Sequence, residues 1–473
     1  MEAHKIKYDL AVIGAGSAGL SVAAAAAQFG EKVVLFEKAE MGGDCLNYGC
    51  VPSKSLLAAA KSAQAQRSSA WFGVASVEPR VDYAKVMDYV HSVIAKIAPH
   101  DSQKRFEELG VLVVRAPAKF VDATTVEADG KTYMARKIII ATGSRANVPD
   151  IQGIHDVPYL TNETIFKNRV LPKHLIIIGG GPIGMEMAQA HIRLGSQVTV
   201  LARSNVLAHD DPELTKVVVD ALVSEGIELR THADIAEIKK SKFDIAVVLK
   251  DGTAVQGTHL LIAAGRRPNI ENLNLTAAGI AYTESGVTVN EGLRTTNPNV
   301  YAAGDVAGGL QFTHVAGYHA GLIIRNTLFR LPVKNRTDII PWVTYTDPEL
   351  AHVGLSELEA RKLYGDKIKV LRWNFAENDR AQTEAKTIGL IKVIVSKKGR
   401  ILGTNIVGAL AGELIAPWVL AVSQKLKISA FANVVLPYPT FSEIAKRAAI
   451  TNYAGLAQKP LLRRALGFLK WLG

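Results

Sequence analysis

Both cysteines of this 473-residue chain lie in one short segment, MGGDCLNYGCVPSK, at positions 45 and 50. Two cysteines are too few for a disulfide scaffold. Their spacing also does not suit a structural zinc site, which needs four ligands and usually close C-x₂₋₄-C pairs. The segment therefore holds a working redox pair, two unrelated thiols, or one reactive thiol with a bystander.

The residues that precede this segment in the chain form a pattern typical of dinucleotide binding. The residues YDLAVIG predict a buried strand, and SVAAAAAQFG predicts a helix that ends at Gly30. Between them the sequence reads G-x-G-x-x-G, and the next predicted strand, KVVLFEK, contains an acid at its end. Such glycines allow a pyrophosphate to approach the helix N-terminus, while the acid binds a ribose hydroxyl. The residues concerned are Gly14, Gly16, Gly19 and Glu37.

The same pattern recurs in HLIIIGGGPIGMEMAQAHIRLGSQVTVLAR, where the glycines are Gly179, Gly181 and Gly184. Two dinucleotide sites in one chain indicate electron transfer between two cofactors. The second site ends in Ala202, Arg203 and Ser204, where an NAD site would usually offer an acid. Arg203 can pair with a 2′-phosphate and Ser204 can add a hydrogen bond, so we expect NADPH rather than NADH. Gly184 weakens this indication, because that glycine is often alanine in NADP sites.

These residues resemble the class I pyridine nucleotide-disulfide oxidoreductases, which include dihydrolipoamide dehydrogenase, glutathione reductase and mercuric reductase. The similarity covers most of the chain, and its motifs occur in the family's order. The resemblance implies an α/β fold with two Rossmann-like domains, for FAD and NAD(P)H, and an α+β C-terminal domain that forms a homodimer. The matching segments are GGDCLNYGCVPSK, IIIATGS, LIAAGRRPN, TTNPNVYAAGD and VTYTDPELAHVGLSE.

The resemblance implies that Cys45 and Cys50 alternate between a dithiol and a disulfide. On one regular helix their Cα atoms would be about 8.6 Å apart, whereas a disulfide needs roughly 4.4–6.8 Å. We therefore expect the helix to break at Asn47-Tyr48-Gly49 and to resume near Pro52. By resemblance, Cys50 faces the flavin in charge-transfer contact and Cys45 meets the acceptor.

The resemblance also assigns roles near the flavin. Lys54 would stabilise negative charge on the reduced ring, and Glu186 would pair with Lys54. Asp305 would bind the ribityl chain of FAD, and the segment QFTHVAG would begin a helix directed at the flavin. We expect His314 to contact the flavin through its backbone and not to act as a catalytic base. The remaining expected cofactor contacts are Ala118, Thr142, Gly143, Ser144, Gly265, Gln311, Phe312 and Thr313.

The chain departs from the disulfide reductases of this family at VVLPYPTFSEIAKRA. In those enzymes the partner subunit supplies a histidine, at the position of Tyr438 here, that moves protons to and from the thiol corresponding to Cys45. A glutamate, here Glu443, orients that histidine. Tyrosine is a poor base at pH 7 because its pKa is near 10. We therefore do not expect lipoamide or glutathione to be the substrate.

Mercuric reductase also carries a tyrosine at the position of Tyr438, and a metal ion needs thiolates rather than a proton shuttle. That enzyme also has a second cysteine pair near its C-terminus, which this chain lacks. We therefore expect a mercuric-reductase-like enzyme whose acceptor is a metal ion, a quinone or a similar small molecule, and no resident metal site. The alternatives are the dihydrolipoamide dehydrogenase of a multi-enzyme complex and an NADPH-sensing flavoprotein with little turnover.

The expected domains are an FAD domain (1–147 and 273–338), an NAD(P)H domain (148–272), a dimerisation domain (339–456) and a tail (457–473). The tail mixes leucines with arginines and lysines, which suits either a basic amphipathic helix on a membrane or packing on the dimer. The net charge of +11 fits a membrane surface or NADPH equally. We expect a cytoplasmic protein, with peripheral contact to the inner membrane face as the alternative to a tail packed on the dimer, and no nucleic-acid partner.

Overall fold

The computed structural model describes residues 6–242, 244–455 and 459–472. These residues form two compact units. The first contains the residues up to 70, together with 75–203 and 227–337. The second contains 71–74, 204–226 and the residues from 338 onwards. Among the described helices, none has both the length and the apolar character needed to cross a membrane.

A seven-stranded sheet forms the first dinucleotide fold. The long strand Lys131–Ile140 pairs in parallel with Ile6–Ile13 and, at its C-terminal end, with Val300–Ala302. Its N-terminal end pairs antiparallel with Thr125–Ala128. The other strands are Val33–Phe36 and Leu112–Val114, which extend the parallel part, and Ala118–Phe120, which ends the antiparallel part.

The alternation of side chains along these strands fills two hydrophobic cores. Leu10 and Val12 point to one face, where the helices Ser17–Gln28 and Thr313–Thr327 pack. Ala11 and Ile13 point to the other face, onto Phe36 and Phe120. Because both faces are covered, the central strands read as continuous apolar runs, as expected for a parallel sheet.

The second dinucleotide fold is a four-stranded parallel sheet. The helix Pro182–Arg193 follows its first strand. The strands, in spatial order, are Glu228–Arg230, Gln197–Leu201, His174–Ile178 and His259–Ile262. A three-stranded antiparallel sheet accompanies it, formed by Ile235–Ser241, Asp244–Leu249 and Ala254–Gly257.

Two short ribbons and further helices complete the first unit. The ribbons pair Ser144–Ala146 with Arg266–Pro268, and Tyr282–Thr283 with Gly286–Val287. Its remaining α-helices are Gly43–Asn47, Cys50–Arg67, Tyr83–Ile97, Gln103–Glu108 and Asn162–Ile165. Single 3₁₀ turns lie at Ser69–Phe72, Ala98–Asp101, Ile154–Asp156, Leu275–Ala278 and Gly304–Ala307.

The second unit is built on a five-stranded antiparallel sheet. Its strands, in spatial order, are Trp342–Thr344, Glu349–Gly354, Ile401–Gly408, Leu390–Ser396 and Ile368–Asn374. Its α-helices are Pro212–Ser224, Glu357–Tyr364, Asp379–Thr383, Ala411–Leu414, Ala416–Ser423, Ser429–Asn433, Glu443–Thr451 and Pro460–Trp471. Its 3₁₀ turns are Thr337–Ile339, Gly365–Lys367 and Phe375–Glu377.

The second unit has a core of its own. Trp418, which is fully buried, stacks on Phe431 with ring centroids 3.8 Å apart. Phe375 and Phe441 pack in the same cluster. A β-sheet with helices on it is the α+β arrangement expected for this part of the chain.

Candidate active site

The segment that carries the two cysteines is a broken helix, as predicted. One helix ends at Asn47, and a second begins at Cys50. Between them Tyr48 and Gly49 leave helical geometry, with φ values of −139° and −121°. A Cβ atom on Gly49 would lie 2.9 Å from a carboxylate oxygen of Asp44, so a larger residue at this break would displace the Asp44 side chain.

The break brings the two thiols close enough for each to shift the pKa of the other. Both are free cysteines, and Cys50 also lies 3.4 Å from the Thr313 hydroxyl. The hydrogen bond from Cys45 is the largest cause that lowers the pKa of Cys50, to about 6, against the opposing effect of burial. Thr313 and the charge of Lys54 lower it further, whereas Asp44 raises it. The neighbouring Cys50 thiol is the main cause that raises the pKa of Cys45, and burial adds to it.

The predicted pair of Lys54 and Glu186 is present. Lys54 Nζ lies 2.7 Å from Glu186 Oε2, and it connects the helix that carries Cys50 to the first turns of Pro182–Arg193. Glu186 is buried, and Lys54 is about one-third exposed. A buried carboxylate next to this lysine keeps a fixed positive charge on the thiol-bearing helix.

An ion-pair network beside the thiols was missed by the sequence reasoning. Asp44, which directly precedes Cys45, accepts a hydrogen bond from Asn162 (2.8 Å) and pairs with Arg266 (3.1 Å). Arg266 also donates to the hydroxyl of Ser144 at 2.7 Å. The position of an acid next to a reactive cysteine was the one available signal, and its partners come from distant segments.

The first glycine segment, residues 14–19, has a backbone geometry that fits a dinucleotide. Gly14 has φ +107°, and a Cβ there would lie 2.4 Å from the Ala141 carbonyl oxygen. A Cβ on Gly19 would lie 1.8 Å from the Gly14 carbonyl oxygen, so strand and helix approach closely. In the described residues no side chain caps the helix at Gly16 and no acid lies in its first turn. Its positive end is therefore available to a phosphate.

Glu37 lies where an acid that binds ribose is expected. It directly follows Val33–Phe36, and its carboxylate accepts hydrogen bonds from the Ala15 and Ala39 amides, both at 2.7 Å. These bonds fix the carboxylate at the mouth of the glycine segment. Carboxylate oxygens have further lone pairs, so Glu37 can also accept hydroxyl groups.

Asp305, which is expected at the ribityl chain, lies close to Ser144, one of the other expected flavin contacts. Ser144 donates a hydrogen bond of 2.5 Å to Asp305, and Thr142 donates one of 2.6 Å to the Asn269 carbonyl. Burial is the main cause that raises the pKa of Asp305, while Ser144 and Arg266 oppose it. Gly143, with φ +66°, carries the turn between Thr142 and Ser144.

The predicted helix after Asp305 begins at Thr313, with Phe312 as its N-cap. Its N-terminus therefore lies beside Cys50 through the Thr313 hydroxyl. The His314 ring stacks on Phe312 with centroids 5.3 Å apart. Gln311 precedes the helix and is half-buried.

The second glycine segment, residues 179–184, repeats the backbone geometry of the first. Gly179 has φ +130°, and a Cβ on Gly184 would lie 2.1 Å from the Gly179 carbonyl oxygen. A Cβ on Gly181 would meet no described atom within 4 Å, which leaves room for a pyrophosphate. Among the described residues, no side chain caps the helix Pro182–Arg193.

The three residues expected to distinguish NADPH from NADH follow the strand Gln197–Leu201. Ala202 is buried, and its amide donates to the Arg230 carbonyl at 2.9 Å. Arg203 is exposed, and the Ser204 hydroxyl donates to the Asn205 carbonyl at 3.4 Å. These contacts leave the guanidinium of Arg203 at the surface.

Two further expected contacts lie apart from these groups. Ala118 is buried in the hydrophobic core, where it pairs with Ala128. Gly265 has φ +97°, and its carbonyl accepts the Asn147 amide at 2.9 Å. Both roles in cofactor binding stay predictions.

In the second unit, Tyr438 is exposed and donates a hydrogen bond of 2.8 Å to Asp379. Asp379, and not Glu443, is therefore its hydrogen-bond partner. This bond is the largest cause that raises the pKa of Tyr438, and the charge of Glu443 contributes in the same direction. Glu443 begins the helix Glu443–Thr451. The approach of Tyr438 to Cys45 of a partner subunit stays a prediction.

The sequence matches the family described as pyridine nucleotide-disulphide oxidoreductase over residues 8–320. The dimerisation domain of that family matches residues 340–449. A mercuric reductase of Lysinibacillus sphaericus is 35% identical over 451 residues, which are 94% of this chain and 82% of that protein. A dihydrolipoyl dehydrogenase of Thermus scotoductus is 35% identical over 463 residues, with coverage of 93% and 96%.

A solved structure is also similar: the Cu(II) complex of HOCl-induced flavoprotein disulfide reductase RclA from Escherichia coli. It has a TM-score of 0.84 and 27% identity, and the alignment covers 93% of this chain and 99% of that one.

Proposed function

The chain belongs to the pyridine nucleotide-disulfide oxidoreductase family, and we propose that it transfers electrons from NADPH to a thiophilic metal ion. Its general chemistry is that of the family: it is an FAD-dependent NAD(P)H oxidoreductase with a redox-active disulfide. The match to the dimerisation domain supports a homodimer. The proposal concerns the acceptor, the preferred nicotinamide cofactor and the roles of individual residues.

When bound, FAD would supply the redox chemistry that links the nicotinamide to the disulfide, and the first glycine segment, Glu37 and Asp305 would hold it. We assign Cys50 to the flavin side, because its lowered pKa makes it a thiolate at neutral pH. Cys45, whose pKa is raised, is then the thiol that meets the acceptor. Lys54, held by Glu186, supplies positive charge near the reduced flavin.

The observation that carries the metal proposal is the hydrogen bond from Tyr438 to Asp379. An acceptor that is itself a disulfide needs a base and acid for the leaving thiol, and a phenol with a raised pKa is unsuitable. A metal ion bound by two thiolates needs no such proton shuttle. Mercuric reductases among the relatives, and a Cu(II) complex of a similar flavoprotein, support this acceptor class.

The reaction balances with a divalent ion as substrate. NADPH supplies two electrons and releases NADP⁺ and one proton. These electrons reduce either one ion to the neutral metal or two ions by one electron each. Because the sequence has no cysteine after Cys50, the ion would be captured directly by Cys45 and Cys50.

We favour NADPH because the strand Gln197–Leu201 of the second dinucleotide fold is not followed by an acid. Ala202 offers no carboxylate to repel a 2′-phosphate, and the exposed Arg203 can pair with it. The shared use of NADPH and of reduced thiols favours a cytoplasmic location. The domain boundaries given above, with FAD bound by 1–147 and 273–338, remain part of the proposal.

The test is anaerobic NADPH oxidation by the FAD-loaded dimer, with Hg(II), Cu(II), a benzoquinone, lipoamide and oxidised glutathione as separate acceptors. We expect turnover with at least one metal ion and its loss in both Cys45→Ser and Cys50→Ser. Ser62→Ala, on the same helix, is the matched control. Rapid turnover with lipoamide and none with either metal would instead identify a dihydrolipoamide dehydrogenase. Rapid reduction of the flavin with no acceptor used would identify an NADPH sensor.

A further inference from the structure

The helix Pro460–Trp471 is exposed along its whole length. Leu461 is 79% exposed and Trp471 80%, values unusual for large apolar side chains. Helices of this kind normally bury one face. The helix therefore presents an apolar surface that lacks a cover within the described protomer.

Its side chains separate cleanly into two faces. At about 100° per residue, the apolar side chains fall within an arc of about 160°. Arg464 lies beside one edge of this arc, and Arg463 and Lys470 lie beyond the other. The Trp471 ring contacts Phe468, with centroids 6.2 Å apart, and lies near the Arg464 edge. The apolar face consists of Leu461, Leu462, Ala465, Leu466, Phe468, Leu469 and Leu472.

The charge of this region has a single sign. Residues 444–473 include six lysines and arginines and no aspartate or glutamate. Cations at both edges of an apolar arc can extend towards anionic groups while their stems lie on the apolar surface. Trp471 suits the boundary between an apolar layer and water, because its ring is apolar and its N–H is polar.

We propose that this helix binds the surface of an anionic lipid bilayer, with the apolar face in the acyl layer and the cations at the headgroups. The same helix of a second copy is a poor alternative, because it would bring like charges together. With 12 residues the helix is about 18 Å long. A hydrocarbon core is about 30 Å thick, so the helix lies in the membrane plane and does not cross it.

A homodimer would carry two such helices. Once one helix binds, the second is held near the same surface, so the dimer gains affinity without new contacts. The proposal does not depend on which acceptor the enzyme uses.

The test is flotation of the FAD-loaded, full-length protein with vesicles. One set contains phosphatidylcholine alone, and the other equal parts of phosphatidylcholine and phosphatidylglycerol. We expect flotation with the anionic vesicles only, and weaker flotation as salt is added. Arg463→Glu/Arg464→Glu should weaken binding at least about tenfold, and Leu462→Ser/Leu469→Ser should do the same without any change of charge. Lys397→Glu/Lys398→Glu, which alters the net charge equally at an exposed turn, is the control.

Equal loss in that control would attribute binding to net charge and overturn the role of the helix. A protein that never floats would overturn the proposal directly. So would tail variants that dissociate the dimer in sedimentation experiments without vesicles, since the apolar face would then pack on the partner subunit. Flavin reduction by NADPH in solution should be equal in all variants.

Discussion

Lys54 Nζ lies 2.7 Å from the buried carboxylate of Glu186. The lysine is one turn after Cys50, on the helix that carries this thiol, and the acid is near the start of the helix that follows the second glycine segment. One ion pair thus joins the two dinucleotide folds beside the redox centre. In the proposed function, Glu186 positions the Lys54 cation beside the flavin.

Glu186→Gln should slow flavin reduction by NADPH about 10- to 100-fold, because the lysine loses the charge that fixes its place. The measurement is anaerobic stopped-flow absorbance, with the content of bound FAD determined in parallel. A positioning role predicts a slower rate with unchanged FAD content. Glu78→Gln, which breaks the exposed pair with Arg67 on the same helix, is the control and should leave the rate unchanged. Loss of FAD from Glu186→Gln would point to a structural role instead.

Thr313 should hold Cys50 as a thiolate. The pKa of Cys50 is lowered from 9.0 to about 6, first by Cys45 and then by the Thr313 hydroxyl. In the two-electron-reduced enzyme, the long-wavelength thiolate-to-flavin absorption should therefore appear as pH rises through about 6. Cys50→Ser should abolish this absorption, while Cys45→Ser should retain it.

Thr313→Val removes the hydroxyl, so the pH midpoint of this absorption should move upwards, towards 9. Thr313→Ser keeps a hydroxyl and should restore the original midpoint. An unchanged midpoint in Thr313→Val would exclude the hydroxyl as a cause of the low pKa.

Much of this architecture could be predicted from local sequence. The glycine segments and the strands on either side of them follow from spacing and from backbone chemistry close to each residue. The helix break at Gly49 follows from the spacing of the two cysteines together with the disulfide that the resemblance implies. The pair of Lys54 and Glu186, 132 residues apart, was expected only because of the family resemblance. The contacts of Asp44 with Arg266 and of Tyr438 with Asp379 could not be predicted, because each joins distant polar residues for which the resemblance implied no pairing. No periodicity marks such pairs, and only the folded chain brings them together.

Arg203 should decide between NADPH and NADH. A charge-assisted bond to phosphate contributes about 1.5–3 kcal/mol, so Arg203→Glu should lower the ratio of NADPH to NADH efficiency at least about tenfold. The ratio is obtained from kcat/KM for flavin reduction by each cofactor. Arg80→Glu changes the net charge equally at another exposed site and should leave the ratio unchanged. If the unmodified enzyme used both cofactors equally well, the argument from Arg203 would lose its basis.

Lys392 is the centre of a buried ion cluster in the second unit. Its ammonium lies 2.8 Å from Asp211, 2.9 Å from Glu213 and 2.8 Å from Glu357. Although burial lowers the pKa of Lys392, the hydrogen bonds that its ammonium donates to these acids raise it. Burial likewise opposes the effect of Lys392 on Glu357, yet the pKa of this carboxyl falls to about 2.

Lys392→Met should destabilise the folded protein by about 3–5 kcal/mol, because it leaves the buried Asp211 carboxylate without a cation. The lowered pKa of Glu357 contributes stability above its usual value of 4.5 and loses it as pH falls towards 2. The difference in Tm between the variant and the unmodified protein should therefore be largest near neutral pH and should shrink below pH 4.5. Lys216→Met, which breaks an exposed pair with Asp220, should change Tm little. A constant difference at all pH values would contradict the electrostatic explanation.

Tyr438 should limit the enzyme with disulfide acceptors. General acid–base assistance contributes about 10² to 10⁴ in rate, and a phenol whose pKa is raised by Asp379 provides little of it at pH 7. The unmodified enzyme should therefore reduce lipoamide and oxidised glutathione poorly. Tyr438→Phe should alter turnover with the true acceptor more than it alters flavin reduction, because the phenol can contact that acceptor.

Tyr438→His should recover part of the lost rate with lipoamide, because imidazole titrates near neutral pH and a neighbouring carboxylate can orient it. The structure offers Asp379 as the nearest such carboxylate, so the gain should fall in Tyr438→His/Asp379→Asn and should survive in Tyr438→His/Glu443→Gln. The measurement is the pH profile of kcat/KM for lipoamide, in which the added histidine should introduce a titration near its own pKa. Flavin reduction by NADPH should be the same in every variant, since it precedes the step that the base assists. Fast lipoamide turnover by the unmodified enzyme would contradict the metal-ion proposal, because the tyrosine would then be no obstacle to thiol–disulfide exchange.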